Sequence, residues 1–345
     1  MNESVLIIEC RIFCNNYCTA RQIKITVKIN INMWNVRNVL EFIIFGLIGI
    51  VKSIVKLFIP MKYQMKNISG EIALVTGGAG GLGRALALSL VKHNAIVVIW
   101  DINQEGIEET MKLIKIAGGI CYGYVCDIRN CEEVYKKAEL VREEVGLVTI
   151  LINNAGVINI GKFLETPDYL LNRSIEINII SQFWTVKAFL PAMIKNNKGH
   201  IVSIASAASH AGCPKIVDYC ASKHAVAGFI EALQLELNLE GHNINTTVIS
   251  PYIIHNTGMF LNEFSRLIPS LNSTEVAEKT IISLRCNKHF VLIPASLKII
   301  IILKWIMPWG FLVMLSRNLI NYNVKSNYKP IEESSSSKVQ NDAKE

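Results

Sequence analysis

From Glu71 onward, short apolar runs alternate with longer stretches in which apolar positions recur every three or four residues. EIALVT reads as a strand and GRALALSLVKH as the helix that follows it. AIVVIW, ICYGYVC and VTILIN repeat the strand pattern, with INQEGIEETMKLIKIAG and NCEEVYKKAELVREEV as helices between them. A long helix is expected from Tyr169 to Asn196. HIVSIAS, NINTTVIS and HFVLIP supply further strands, and ASKHAVAGFIEALQLEL a helix between the first two. Strands alternating with helices in this way call for a parallel sheet covered on both faces. The pattern predicts an α/β fold with an open, doubly wound sheet of seven parallel strands. No repeat of solenoid period is present.

The ends depart from this alternation. VLEFIIFGLIGIVKSIVKLFI, at 39–59, approaches the length of a spanning helix, with an unbroken apolar run from Phe42 to Val51. Glu41, Lys52 and Lys56 lie near its ends, and the two lysines share a face from which they can snorkel. A membrane anchor is expected here, spanning the bilayer or lying in its interface. After Pro294 comes SLKIIIILKWIMPWGFLVMLSRNLI, broken by Lys298, Lys304 and Pro308. Trp305 and Trp309 suit an interfacial position. Alternatively this segment caps a hydrophobic substrate pocket, and both roles can hold together. The tail from Tyr328 is polar and serine-rich and reads as disordered. Residues 1–32 show no clean period and read as an extension that adds nothing to the fold. The expected organisation is 1–32 extension, 33–66 anchor, 67–295 folded domain, 296–327 apolar segment and 328–345 tail.

Composition supports this division. The chain has 345 residues, of which 51% are hydrophobic, and a net charge of +7. That fits one domain of roughly 250 residues with membrane-seeking ends better than two soluble domains. Between Arg11 and Lys66 the sole acidic residue is Glu41, and between Lys279 and Lys329 there is none. Basic residues set among Ile, Leu and Trp suit an anionic membrane surface. They form no solvated basic stripe, so nucleic acid is not expected as a partner. The nine cysteines include no C-x-x-C pair. Cys10, Cys14 and Cys18 recur at helical spacing, but no metal-binding set is read there. The other six read as reduced thiols of a cytosol-facing domain.

Two stretches carry candidate chemistry. Thr76 to Gly83, TGGAGGLG, joins the first strand of the alternation to its helix. Gly77, Gly81 and Gly83 allow a tight turn that brings backbone amides and a helix N-terminus near a pyrophosphate. Asp101 ends the next strand, 18 residues past Gly83. A carboxylate there accepts from both ribose hydroxyls and repels a 2′-phosphate, which favours NAD over NADP. Ser206, Tyr219 and Lys223 form the second set. Tyr219 and Lys223 stand four apart on one helix face. A neighbouring cation favours phenolate, as a proton shuttle near neutral pH requires, and Ser206 can bond the reacting oxygen.

T-G-x-x-x-G-x-G at Thr76–Gly83, N-N-A-G at Asn153–Gly156 and Y-x-x-x-K at Tyr219–Lys223 together resemble the short-chain dehydrogenase/reductase family, over about residues 68–295. VVIWDINQEG, FWTVKAFLPAM, DYCASKHAVAGF and NTGMF resemble its membrane-associated epidermal-type retinol dehydrogenases and lipid-droplet 17-beta-hydroxysteroid dehydrogenases. The resemblance implies a Rossmann-type domain and a catalytic tetrad of Asn178, Ser206, Tyr219 and Lys223, with Asn178 holding a relay water. It implies cofactor contacts from Thr76, Gly77, Gly81, Leu82, Gly83, Asp101, Asp127 on the adenine, Asn154, Tyr219, Lys223, Pro251 and Thr257. Two departures stand out. Tyr252 follows Pro251 where glycine is usual, and one residue is inserted before Thr257, which puts that contact in doubt. The implied activity is interconversion of a lipophilic alcohol and its carbonyl, retinol first, a 17-beta-hydroxysteroid or other lipid alcohol second. His210 and the loops Ala208–Ile216 and Met259–Ile268 are candidate pocket parts. The implied place is the endoplasmic-reticulum membrane or a lipid droplet. A homodimer through the Tyr169–Asn196 and Cys220–Leu239 helices is an inherited expectation. A non-catalytic lipid-droplet scaffold is the alternative, against which the tetrad argues.

Overall fold

The computed structural model describes residues 5–13, 22–30, 36–255, 269–319 and 326–328. The chain divides into two compact units, Met1–Gln64 and Met65–Glu345.

In the first unit, strand β1 (Val5–Phe13) pairs antiparallel with β2 (Gln22–Asn30), Val5 opposite Asn30. The stretch read as having no period therefore carries secondary structure. Cys10 lies on β1 opposite Ile25, not on a helix. Cys14 and Cys18 lie outside the described residues. Helix α1 (Val36–Phe58) has 23 residues. At 1.5 Å per residue it is about 34 Å long, enough to cross about 30 Å of hydrocarbon. Its apolar side chains, Phe42, Phe45 and Phe58 among them, are exposed. A short α2 (Met61–Gln64) follows.

The second unit is the expected layered sheet. Its elements run β3 (Ile72–Thr76), α3 (Gly81–Val91), β4 (Ile96–Asp101), α4 (Gln104–Ile116), β5 (Cys121–Val125), α5 (Cys131–Glu144) and β6 (Val148–Asn153). They continue with α6 (Asp168–Ile175), α7 (Ser181–Lys195), β7 (Gly199–Ile204), α8 (Val217–Leu239), β8 (Ile244–Pro251), α9 (Ser273–Arg285), β9 (Phe290–Ile293), α10 (Leu297–Ile306) and α11 (Trp309–Leu319). The seven strands lie in the order β5-β4-β3-β6-β7-β8-β9, every neighbouring pair parallel.

Alternate strand residues feed two cores, as a period of two requires. Val75, Ile152 and Val202 face the core that holds Leu86 and Leu90 of α3, Ile107 of α4 and Ile281 of α9. Leu74, Leu151 and Ile201 face the other, with Val141 of α5, Phe189 of α7 and Ile230 of α8. Asparagines cap the helices that follow loops: Asn103 accepts from Gly106 N, and Asn130 from Glu132 N and Glu133 N. Among the described residues, Asp168–Lys195 is long and apolar enough to cross a membrane, but it belongs to this core, with Val186, Phe189 and Met193 buried.

The long helix expected from Tyr169 to Asn196 is present as Asp168–Lys195, in which α6 and α7 are joined by a π-helical turn, Glu176–Ile180. The wider turn falls on Asn178. At the other end of the chain, Asn327 and Tyr328 are held against the loop after β6. Asn327 N donates to Ile160 O at 3.1 Å, and its Oδ1 accepts from Ile160 N at 2.8 Å. Tyr328, read as the start of a disordered tail, is thus docked. The remainder of 329–345 lies outside the described residues.

Candidate active site

Strand order reverses between β3 and β6, and a crevice opens there at the carboxyl ends of the strands. A cavity of about 940 Å³ fills it. One half is bounded by the turn from β3 to α3. Gly77 (φ +67°) and Gly81 (φ +52°) occupy the left-handed region. A Cβ on Gly83 would fall 1.9 Å from Gly77 O, so the helix and the turn approach closely enough to exclude any side chain. Gly81, Leu82 and Gly83 open α3 and line the cavity, so the unpaired amides of that first turn are at its wall. The donor set and the glycine cradle fit a dinucleotide pyrophosphate.

Asp101, the last residue of β4, also lines the cavity. Its Oδ2 accepts from Ala79 N at 3.0 Å and its Oδ1 from Asn103 N at 3.0 Å, which fixes the carboxylate beside the glycine turn. Asp127 lines the same wall and is forked by Arg129, with Nη2 to Oδ2 at 2.6 Å. Bonding from that guanidinium holds the Asp127 carboxyl below its usual range. Asn154 lies on the cavity and bonds Thr76 O at 2.9 Å. Thr76 itself does not reach the cavity. Buried, it accepts from Asn154 N at 3.0 Å and Ala155 N at 3.1 Å and ties the ends of β3 and β6 together.

Ser206, Tyr219 and Lys223 share the wall where the two halves of the cavity meet. Ser206 follows β7 and caps a 3-10 turn, Ala207–Ser209, in a reciprocal capping box with Ser209. Helix α8 starts before Tyr219, so Tyr219 and Lys223 are successive turns of one face. Tyr219 is 5% exposed, and burial pushes its phenol up to about 12, against a hydrogen bond with Ser206 that pulls it down. Burial also pushes the Lys223 ammonium down to about 8. Lys223 Nζ donates to Ile204 O at 2.8 Å.

Asn178 stands behind this wall and does not line the cavity. It is fully buried, and its amide is taken up by protein partners: Oδ1 accepts from Val157 N at 2.8 Å, and Nδ2 lies within bonding distance of Val157 O at 2.9 Å and Ser222 Oγ at 3.0 Å. Ser222 Oγ in turn donates to Tyr219 O at 2.8 Å. The backbone carbonyl of Asn178 accepts from Gln182 Nε2 at 3.0 Å.

The other half of the cavity is apolar, formed by the Ala208–Val217 loop, Pro251 to Ile254, and both C-terminal helices. Leu297 and Ile301 of α10 and Leu312 of α11 face inward. The apolar segment therefore caps the cavity, one of its two expected roles. His210 does not line the cavity. Its Nε2 pairs with Ser250 Oγ at 3.1 Å, and its carbonyl accepts from Lys304 Nζ at 2.7 Å. Tyr252, in the place of the usual glycine, does line it, and its N–H bonds Ile293 O at 2.8 Å. Thr257, the insertion before it and the Met259–Ile268 loop lie outside the described residues.

A family model described as short chain dehydrogenase matches residues 71–267. The chain belongs to the short-chain dehydrogenase family. Mouse estradiol 17-beta-dehydrogenase 11 is 40% identical over 281 residues, which cover 81% of this chain and 93% of that protein. Mouse epidermal retinol dehydrogenase 2 is 40% identical over 282 residues, 80% of this chain and 90% of that protein. A Burkholderia phymatum short-chain dehydrogenase/reductase solved with NAD has the same fold, with TM-score 0.64 and 23% identity over 76% of this chain and all of that one.

The structure of this dehydrogenase also brings forward residues that the sequence reading did not select. Arg129, Arg173 and Lys304 line the cavity. Arg129 sits two residues past Asp127, a spacing that could have flagged it as a fork. Lys304 is separated from the motif region by the whole of β8, α9 and β9, and nothing local marks it.

Proposed function

We propose that the protein is a membrane-associated, NAD-dependent dehydrogenase that interconverts a lipophilic alcohol of the retinol or steroid kind and its carbonyl. The observation that carries this reading is one cavity with three parts: a glycine cradle beside Asp101, the Ser206–Tyr219–Lys223 wall, and an apolar half closed by α10 and α11. NAD, when bound at the cradle, supplies the hydride acceptor or donor. The cofactor contacts would come from the amides of Gly81, Leu82 and Gly83, the carboxylates of Asp101 and Asp127, Asn154, Lys223, Pro251 and, outside the described residues, Thr257.

In oxidation Tyr219 takes the alcohol proton on its phenolic oxygen, and Ser206 orients the alcohol. At neutral pH a phenol raised to about 12 holds its proton, the form that reduction needs. Oxidation needs the phenolate, and the Ser206 bond and the Lys223 cation favour that form. Asn178 acts as a positioning residue. Its amide joins Val157 to Ser222 and so to the Tyr219 turn. The relay role expected of it falls to its backbone carbonyl, which keeps a second lone pair.

The relatives named above act on estradiol or retinol by their names, and the apolar half of the cavity suits either body. Membrane association is supported by the exposed apolar surface of α1 and by Trp305 and Trp309, both largely exposed, the second at the rim of the cavity. This supports an endoplasmic-reticulum membrane or lipid-droplet surface with the catalytic unit in the cytosol. A homodimer would form through the Tyr169–Asn196 and Cys220–Leu239 helices.

The test is turnover of all-trans-retinol and of estradiol by membrane fractions with NAD⁺ and with NADP⁺. Tyr219→Phe should bind cofactor and lose turnover. Full activity of that variant would sink the assignment. Cofactor binding without turnover of any lipid alcohol would support the scaffold alternative.

A further inference from the structure

We propose that Lys304 is a second polar recognition point in the substrate cavity, one that takes an oxygen acceptor on the substrate other than its reacting oxygen. This rests on the cavity being the site of a lipophilic alcohol, and it narrows the substrate to molecules carrying two oxygens. The reacting oxygen belongs at Ser206 and Tyr219. Around the rest of the substrate half stand Ala211, Ile216, Ile253, Leu297, Ile301 and Leu312, without polar side-chain atoms, and Tyr252, which carries a phenol.

Among the described residues, α10 and α11 bring three side chains with polar atoms to the cavity, Lys304, Trp309 and Ser316, and of these Lys304 alone carries a charge. Ser316 is satisfied within its own helix, donating to Val313 O at 2.9 Å. Lys304 is different. Its Nζ donates to His210 O at 2.7 Å and lies 5.1 Å from the centre of the Trp305 ring. The His210 carbonyl takes one N–H of an ammonium that carries three. Position adds to this. Ser206 opens the turn that His210 closes, so the bond to His210 O holds Lys304 at the far end of the turn whose near end holds the reacting oxygen.

Water can solvate the remaining N–H groups while the cavity is open. A substrate that fills the apolar half displaces that water. A hydrocarbon body offers nothing in return and leaves a cation short of partners, which is costly in a poorly solvated site. A hydroxyl, carbonyl or carboxylate oxygen restores the bond. A site with such a donor discriminates against an analogue that lacks the acceptor. The cavity thus favours a rigid body oxygenated at two places over a polyene alcohol with one oxygen.

The experiment compares estradiol with its 3-deoxy analogue, which keeps the reacting 17-hydroxyl. It uses the full-length protein in membranes, as wild type, Lys304→Met and Lys304→Arg. Two readouts are taken: the ratio of kcat/KM values with NAD⁺, and the ratio of Kd values from tryptophan quenching, since Trp309 lines the cavity. The wild type should prefer estradiol by at least about tenfold in both ratios. Lys304→Met should bring both ratios toward one, chiefly through KM, and Lys304→Arg should retain the preference. Equal loss on both compounds would make Lys304 a latch for α10 alone and overturn the proposal. So would a wild type without preference, or one that binds neither compound. Altered Kd ratios without any turnover would instead reject the dehydrogenase reading and leave the Lys304 site standing.

Discussion

Lys223 holds its ammonium 5.6 Å from the centre of the Tyr219 ring while its proton bridges to Ile204 O at 2.8 Å. Both side chains are buried, and burial drives both toward their neutral forms. The neighbouring ammonium favours phenolate, while burial opposes the charged form of each. Replacing the lysine by an apolar chain of similar length removes the cation that favours phenolate. Lys223→Met should therefore lower kcat/KM for alcohol oxidation by about 10²–10⁴-fold. Its thermal midpoint at pH 7 should not fall, because a desolvated cation is removed along with its bond. A midpoint several degrees lower in thermal unfolding would show that the Ile204 bond is structural.

Stability should follow pH in a way that these burials dictate. His200, His93 and His210 are all held below their usual value, mainly by burial. Below about pH 6.5 the unfolded chain gains protons that the folded chain refuses, so stability rises with pH through 5 to 6.5. Lys66 and Lys223 titrate at about 8 in the fold and near 10.5 unfolded. Above pH 8 the unfolded chain holds protons that the folded chain has released, and stability rises again. From about pH 9 the sign turns. Burial raises Cys121, Cys126, Cys213 and Cys220, so the unfolded chain now loses protons that the folded chain keeps. The midpoint of thermal unfolding without cofactor should peak near pH 9. Lys223→Met should shrink the rise between pH 8 and 9. A flat profile across that interval in the wild type would contradict the burial of both lysines.

Asn178 gives a separate prediction, since its side chain is bonded behind the Tyr219 wall without lining the cavity. Truncation to alanine leaves the buried Ser222 Oγ and the part-buried Val157 N and Val157 O each short of a partner. The loss of stability should be about 2–4 kcal/mol. Ser222 then loses its hold on Asn178 while still bonding Tyr219 O, and the Tyr219 turn loosens. Asn178→Ala should lower kcat more than it raises KM for cofactor, as expected of a residue that acts through Tyr219. An unchanged kcat in a destabilised variant would confine Asn178 to folding.

These cases show which parts of the site were legible before the structure. The glycine turn, Asp101 and the Tyr219–Lys223 pair lie within local patterns: a strand, a turn and a helix face each reveal themselves over a few residues. The seven strands were readable for the same reason, because a sheet covered on both faces needs continuous apolar runs. The use of the Asn178 amide was not readable. Its partners Val157 and Ser222 lie 21 and 44 residues away, and the π-helical turn that aims it leaves no mark in apolar periodicity. Lys304 was visible only as a charge interrupting an apolar segment. Its bond to His210 joins positions 94 residues apart. Strand β2 was legible and passed over, since QIKITVKIN alternates polar and apolar residues throughout; in β1, VLIIECRIF, four consecutive apolar residues at its start obscure the alternation.

The docked end of the chain sets the last prediction. Asn327 uses its backbone and both amide atoms on one strand-like stretch, with N to Ile160 O at 3.1 Å, Oδ1 from Ile160 N at 2.8 Å and Nδ2 to Ile158 O at 3.1 Å. Tyr328 adds a bond to Thr166 Oγ1 at 2.7 Å. Ile158 and Ile160 are buried in a cluster with Ile216, Cys220 and Tyr219. The clip therefore braces one side of the packing around Tyr219, and a chain ending before it should lose more than a disordered tail would. A protein ending at Pro330 should match the full chain in thermal midpoint and turnover. One ending at Lys325 should unfold several degrees lower and lose kcat, because Ile160 N and O are left without their partner beside the Tyr219 cluster. Asn327→Ala in the full chain should fall between the two. Equal behaviour of the two truncations, measured by thermal unfolding and turnover, would show that Asn327 and Tyr328 rest on the fold without supporting it.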